Sequence, residues 1–86
     1  MKLKQGFMVH EADGISMLIS TGTARFSGVV RGNKTFGAIL QALQQYVSRE
    51  ELISTICGKY EVSSETVEKD VDKAITELRR IGAIDG

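Results

Sequence analysis

FSGVVRGNKTFGAILQAL, Phe26 to Leu43, passes from a strand directly into an amphipathic helix. Phe26 to Arg31 is rich in aromatic and β-branched residues, which predicts a strand; Gly28 weakens it or marks a bulge. Asn33 has a short side chain able to accept one of the backbone N–H bonds that a helix leaves open at its start. The helix that follows places Phe36, Ile39, Leu40 and Leu43 at i, i+3, i+4 and i+7, one continuous apolar face. A change of period from two to 3.6 with so short a connection implies a sheet and a helix packed on each other.

Upstream, Leu3 to Ala12 places Leu3, Phe7 and Val9 at period-two spacing, which predicts a first strand. Asp13-Gly14 is a two-residue turn signal, because both residues of the favoured hairpin turn need positive φ. A second strand is then expected through Ile15, Met17 and Ile19, with Ser20 to Thr23 as a loop. Downstream, Ser48-x-x-Glu51 is a capping box, and Val47 is positioned to staple against Leu52. The helix it opens should bury Leu52, Ile53 and Ile56 and end at Gly58. Ser63 caps a third helix, with Val62 set against Val67, and Val67, Val71, Ala74, Ile75 and Leu78 give the strongest periodicity in the chain. Gly82 is placed to close it. The expected architecture is α+β, three short antiparallel strands followed by three helices.

The chain has 86 residues, 11 Lys+Arg and 11 Asp+Glu. At this size a single domain, 1–86, buries somewhat over ~60% of the surface its unfolded chain exposes. Residues 1–49 carry six cations against two acids and residues 50–86 five against nine, so the halves are +4 and −4. Cys57 is alone and no apolar run follows a basic flank, which predicts a reducing, cytoplasmic setting without export or membrane insertion. No proline interrupts the backbone donors.

Nucleophilic and acid–base catalysis need positioned partners, and metal sites need three or four ligands. With one His and one Cys, 47 positions apart, the chain offers neither. His10 alternates with Val9 and Glu11 on an expected hairpin edge and reads as a solvated side chain. Cys57 adjoins the apolar face of the second helix and reads as a packed thiol. Glu61, Glu65, Glu68, Asp70 and Asp72 lack the spacing of a calcium loop and fall mainly on a solvent face. Gly28 and Gly32 do not form a phosphate-cradling loop. No catalytic, cofactor or metal residue is therefore assigned.

Three helices beside a small sheet are also the plan of a winged helix-turn-helix, so DNA binding is the rival that the fold alone suggests. Charge argues against it. A recognition helix must neutralise phosphates, yet Glu65, Glu68, Asp70 and Asp72 crowd the half of the third helix that would enter the groove.

The strand-to-helix stretch resembles the core of the PqqD-like family, whose pattern here is an aromatic, a polar residue, Gly, apolar residues, a Leu-Asn-x-Thr turn and a helix ending in a Leu pair. Phe26, Gly28, Val29, Val30, Asn33, Thr35, Ile39, Leu40 and Leu43 fit. Gly32 stands where the family usually has Leu, which removes a staple and predicts a looser strand-to-helix junction. Ser48 to Leu52, Tyr60-Glu61-Val62, and Asp70, Val71, Leu78, Gly82 and Ile84 extend the resemblance over nearly the whole chain.

The resemblance implies a winged helix-turn-helix-like fold and a non-catalytic role as a peptide recognition element. Such domains bind the leader of a ribosomally made precursor peptide as a strand beside strand three, in the groove with helix three. They present it to a modifying enzyme, often a radical S-adenosylmethionine protein. Carried onto this chain, Gly28, Val29, Val30 and Arg31 supply backbone bonds. On a helical wheel Asp70, Ala74, Glu77 and Ile81 form one flank of helix three and Glu68, Asp72 and Arg79 the other. The first is the flank expected to supply the other wall, with Ala74 and Ile81 as an apolar shelf and Asp70 and Glu77 able to select nearby basic residues; the second is the alternative. Two alternatives remain at this point: a homodimeric structural subunit using the same edge, and a DNA-binding regulator.

Overall fold

The computed structural model describes residues 1–21, 28–60 and 62–84. Its order is β1 (Phe7–Ala12), β2 (Ile15–Ser20), β3 (Val29–Gly32), α1 (Lys34–Ala42), α2 (Arg49–Lys59) and α3 (Ser64–Arg80). The sheet is antiparallel with order β1-β2-β3. This is the α+β plan expected from the sequence, with the helices on one face of the sheet. Phe26, the loop residues Gly22 and Thr23, and Glu61 lie outside the described residues.

Asp13 and Gly14 have φ of 53° and 76°, the pair of positive values that a type I′ turn requires. That turn sets Ala12 opposite Ile15, and the register then runs Val9↔Leu18 and Phe7↔Ser20. Residues opposite each other share a face, so Leu18, not Ile15, Met17 or Ile19, joins Phe7 and Val9 toward the helices. Leu18 is buried whereas Ile15 remains 47% exposed. The first strand also begins later than expected. Leu3 makes only an isolated bridge to Ile84, its N–H bonding to Leu43 O at 2.9 Å.

Each helix start follows from its cap. Asn33 accepts from Phe36 N–H at 3.0 Å, and Ser48 and Glu51 exchange side chain-to-backbone bonds of 3.1 and 3.0 Å. Ser63 Oγ accepts from Thr66 N–H at 3.4 Å. Such caps are worth about 1 kcal/mol each. Helix α3 ends in a Schellman motif: Gly82 has φ of 76°, Ala83 N–H reaches Leu78 O, and Gly82 N–H reaches Arg79 O. Gly58 does not end α2, which continues to Lys59 and stops where Tyr60 turns to extended φ and ψ. Gly58 has no positive φ, so it lacks the backbone state that makes glycine a terminator.

Leu40, Leu43, Leu52, Ile56, Val71 and Leu78 are fully buried, each contributing roughly 1.5–3 kcal/mol of transfer free energy. They join α1, α2 and α3 into one core that Leu18 connects to the sheet. Arg49 bridges α2 and α3, donating from Nε to Asp72 Oδ1 at 2.6 Å and from Nη2 to Oδ2 at 2.9 Å. No helix among the described residues is long and apolar enough to cross a membrane.

The strand-to-helix junction differs from the looser arrangement expected without a Leu at position 32. Phe36 folds back over Gly32, where an added Cβ would overlap its side chain. The volume of the missing leucine is taken by an aromatic ring from the first turn of α1.

Candidate functional site

As the last strand of the sheet among the described residues, β3 has one side paired to β2 and no described strand on the other. Which of its backbone groups face the open side follows from the ladder. Ser20 N–H donates to Gly28 O at 3.1 Å, and these two continue the register Ile19↔Val29, Leu18↔Val30. Ser20 and Gly28 are thus a hydrogen-bonded pair. Because such pairs alternate along an antiparallel ladder, Val30 and Gly32 also bond to β2, while the N–H and C=O of Val29 and Arg31 point outward. No described residue bonds to them.

Beside this edge runs a groove of about 260 Å³. Val30, Phe36, Ile39 and Ala74 give it an apolar floor. Val30 faces inward because the strand alternates, and its exposure pattern of exposed, intermediate, exposed, intermediate follows the pleat. Asp70, Lys73 and Glu77 form the α3 side, at the i, i+3 and i+7 positions of one helix face. Asn33 and Thr35, at the start of α1, close one end.

Electrostatically, Glu77 is occupied. Arg80 grips both its carboxylate oxygens, one bond being Nε to Oε2 at 3.1 Å, and this pairing holds the Glu77 carboxyl below its usual range. Asp70 and Lys73 have no ion-pair partner among the described residues, nor does Arg31 on β3. Farther round α3, Asp72 is likewise held low by the Arg49 guanidinium; it faces α2, not the groove.

Of the residues singled out in the sequence, Val30, Arg31, Asp70, Ala74 and Glu77 come together around one groove. Gly28 and Val29 lie on the same strand line beyond it, Gly28 with φ of 144°. Ile81 does not join the wall; it is 7% exposed, drawn into the core where the C-cap leaves the helical path. Phe36, Ile39, Gly32, Thr35 and Lys73 also line the groove, although the sequence gives none of them a place in it. Phe36 carries a signal nonetheless, since an aromatic in the first turn after a glycine can fold back over it. His10 is exposed on β1 and Cys57 is half-buried against the core. Among the described residues no three His, Cys, Asp or Glu side chains gather as a metal site.

A second hollow, also about 260 Å³, opens on the other side of α1. Its lining is largely polar, with Glu11, Lys34, Gln41, Lys59 and Tyr60.

The family model described as coenzyme PQQ synthesis protein D (PqqD) matches residues 8–84. Two solved structures share the fold. TbiB1 in complex with the TbiA(beta) leader peptide superposes with a TM-score of 0.72 at 22% identity, covering 99% of this chain and 100% of that one. A lasso peptide synthetase B1 complexed with the leader peptide superposes with a TM-score of 0.71 at 23% identity, covering 95% of this chain and 93% of that one. No curated protein matches the sequence.

Proposed function

The chain belongs to the PqqD family, and from that premise we propose that it is a non-catalytic adaptor that captures the leader segment of a ribosomally made precursor peptide. The leader adds to β3 as a fourth strand and is presented to a modifying enzyme, a radical S-adenosylmethionine protein being the partner type that the family suggests. The observation that carries this reading is the open β3 edge, with Val29 and Arg31 offering unpaired backbone groups directly beside an apolar-floored groove. Unpaired edge groups accept an extended peptide, and alternate side chains of that peptide then enter the neighbouring groove.

Among the described residues the outer edge of β1 has no strand beside it either, yet the hollow near its end is lined by lysines, a glutamine and a glutamate. An apolar anchor residue gains transfer free energy on Val30, Phe36 and Ile39 and little among those charges. Both solved relatives of this fold are complexes with leader peptides, which supports the same occupant here. Strand-addition interfaces are small, and an affinity of roughly −8 to −10 kcal/mol, micromolar or somewhat tighter, is expected. The acids Glu65, Glu68 and Asp70 along the exposed face of α3 disfavour duplex DNA as the ligand.

Amide NMR spectra of the labelled protein test the reading. The leaders of short peptides encoded beside the gene and a random duplex DNA are added separately. Shifts confined to Gly28–Gly32, the start of α1 and the Asp70–Glu77 face, with peptide alone, are the expected result. Salt-sensitive shifts with DNA and none with peptide contradict it.

A further inference from the structure

The alternation that turns the backbone of Val29 and Arg31 to the open edge also fixes where their side chains point. Both lie on the sheet face away from the helices. Cross-strand pairing arranges that face in rows: Met8, Ile19 and Val29 form one, and His10, Met17 and Arg31 the next. The first row is apolar and open to solvent, with Met8 60% and Val29 47% exposed. The second ends in a guanidinium at the strand edge. No carboxylate stands on the outward positions of the three strands, and Arg31 has no ion-pair partner among the described residues.

A strand added to β3 continues these rows by one residue each. The leader residue opposite Arg31 lies beside a guanidinium that no described residue pairs with, that opposite Val29 extends an apolar row, and the one between them faces the groove floor of Val30, Phe36, Ile39 and Ala74. We infer that the side chain of Arg31 is a specificity determinant and that the leader carries an acidic residue followed by two apolar ones, the acid paired with Arg31. The inference rests on the strand-addition reading above. The acid comes first because every ladder in this sheet is antiparallel, the pairing that is also the more stable per residue. The charge pair sits on an exposed edge, so its worth is that of a cross-strand ion pair, about two- to fivefold in affinity.

This preference separates the Arg31 guanidinium from the cations and anions of the groove. Lys73, Asp70 and Glu77 face the residue between the two outward ones, so they do not set the charge of the residue opposite Arg31.

Random dodecapeptides displayed on phage, selected on the immobilised protein, are the probe. The same selection is run on Arg31→Gln, Arg31→Glu and, as a strand-addition control, Val29→Pro. Arg31 is exposed, so the two charge variants retain the fold, which circular dichroism checks. The expected binders share an acidic residue before an apolar pair, lose the acid preference on Arg31→Gln and exchange it for Lys or Arg on Arg31→Glu. Binders that are lost on Val29→Pro but show no charge bias at that position, or the same acid bias on Arg31→Glu, overturn the role of Arg31 and leave strand addition standing. Failure to enrich any sequence above the Val29→Pro control overturns both.

Discussion

Phe36 lies across Gly32 so closely that a Cβ at position 32 would stand 2.6 Å from the Phe36 Cβ and nearer still to its ring. The two residues therefore act as one unit at the strand-to-helix junction: the glycine makes room, and the ring both seals the junction and floors the groove. Gly32→Leu alone overpacks this point and is expected to cost about 1–3 kcal/mol. In a Phe36→Ala background the overlap with the ring is gone but the 2.6 Å approach of the two Cβ positions remains, so the penalty should shrink without vanishing. Urea unfolding of the two single variants and the double variant measures this coupling.

Proline scanning of β3 separates the two sides of the strand. Val30 bonds inward to β2, so Val30→Pro removes a ladder hydrogen bond and should lower stability by roughly 1–3 kcal/mol. The N–H groups of Val29 and Arg31 face outward, where proline is tolerated on an edge strand. Val29→Pro and Arg31→Pro should keep an unfolding midpoint near that of the parent and lose leader binding at least tenfold. Binding of fluorescently labelled leader, measured beside urea unfolding, distinguishes the two classes.

The Arg49–Asp72 bridge predicts a pH dependence of stability. Asp72 accepts two bonds from the guanidinium, which lowers its carboxyl below the ordinary 3.8. A folded value below the unfolded one means that the contribution is fully present above the ordinary value and is lost as pH falls through the depressed folded value. Asp72→Asn should thus be less stable than the parent near neutral pH, and the difference should close on acidification. Chemical unfolding at a series of pH values checks this, and added salt should narrow the neutral-pH gap because the pair is exposed.

The capping box at Ser48 and Glu51 is reciprocal and local. Ser48→Ala should cost about 1 kcal/mol, read as a lower urea midpoint with an unchanged slope.

Features set by neighbours in the chain are legible in the sequence. Asn33, Ser48 and Ser63 each cap a helix because the bonds they make lie within three residues, and Asp13-Gly14 fixes a hairpin because two φ angles decide it. Features set by distant partners are not legible in this way. Met8 to Ile19 offers apolar residues on both parities of the strands, so period-two spacing alone favours Ile15, Met17 and Ile19 as the inward set. The turn register, which pairs Val9 with Leu18, selects the other parity. Leu3 carries the period of a strand but spends its N–H on Leu43 O, a contact with a residue so distant along the chain that no local pattern encodes it.

The groove is legible in part for the same reason. Asp70, Ala74 and Glu77 share a helix face by spacing alone, and Val30 and Arg31 share a strand. Ile81 has the spacing to continue that face, yet the chain leaves the helix there and buries it. Phe36 and Ile39 read only as core, because an amphipathic pattern does not say which end of an apolar face remains open beside a sheet edge.

Amide hydrogen exchange of β3, recorded with and without bound leader, tests the strand-addition claim most directly. The ladder assigns Val30 N–H to β2 and those of Val29 and Arg31 to the open edge. Leader binding should therefore slow Val29 and Arg31 strongly, with a smaller change at Val30. Bound leader that leaves Val29 and Arg31 exchanging as in the free protein would contradict capture by strand addition on β3.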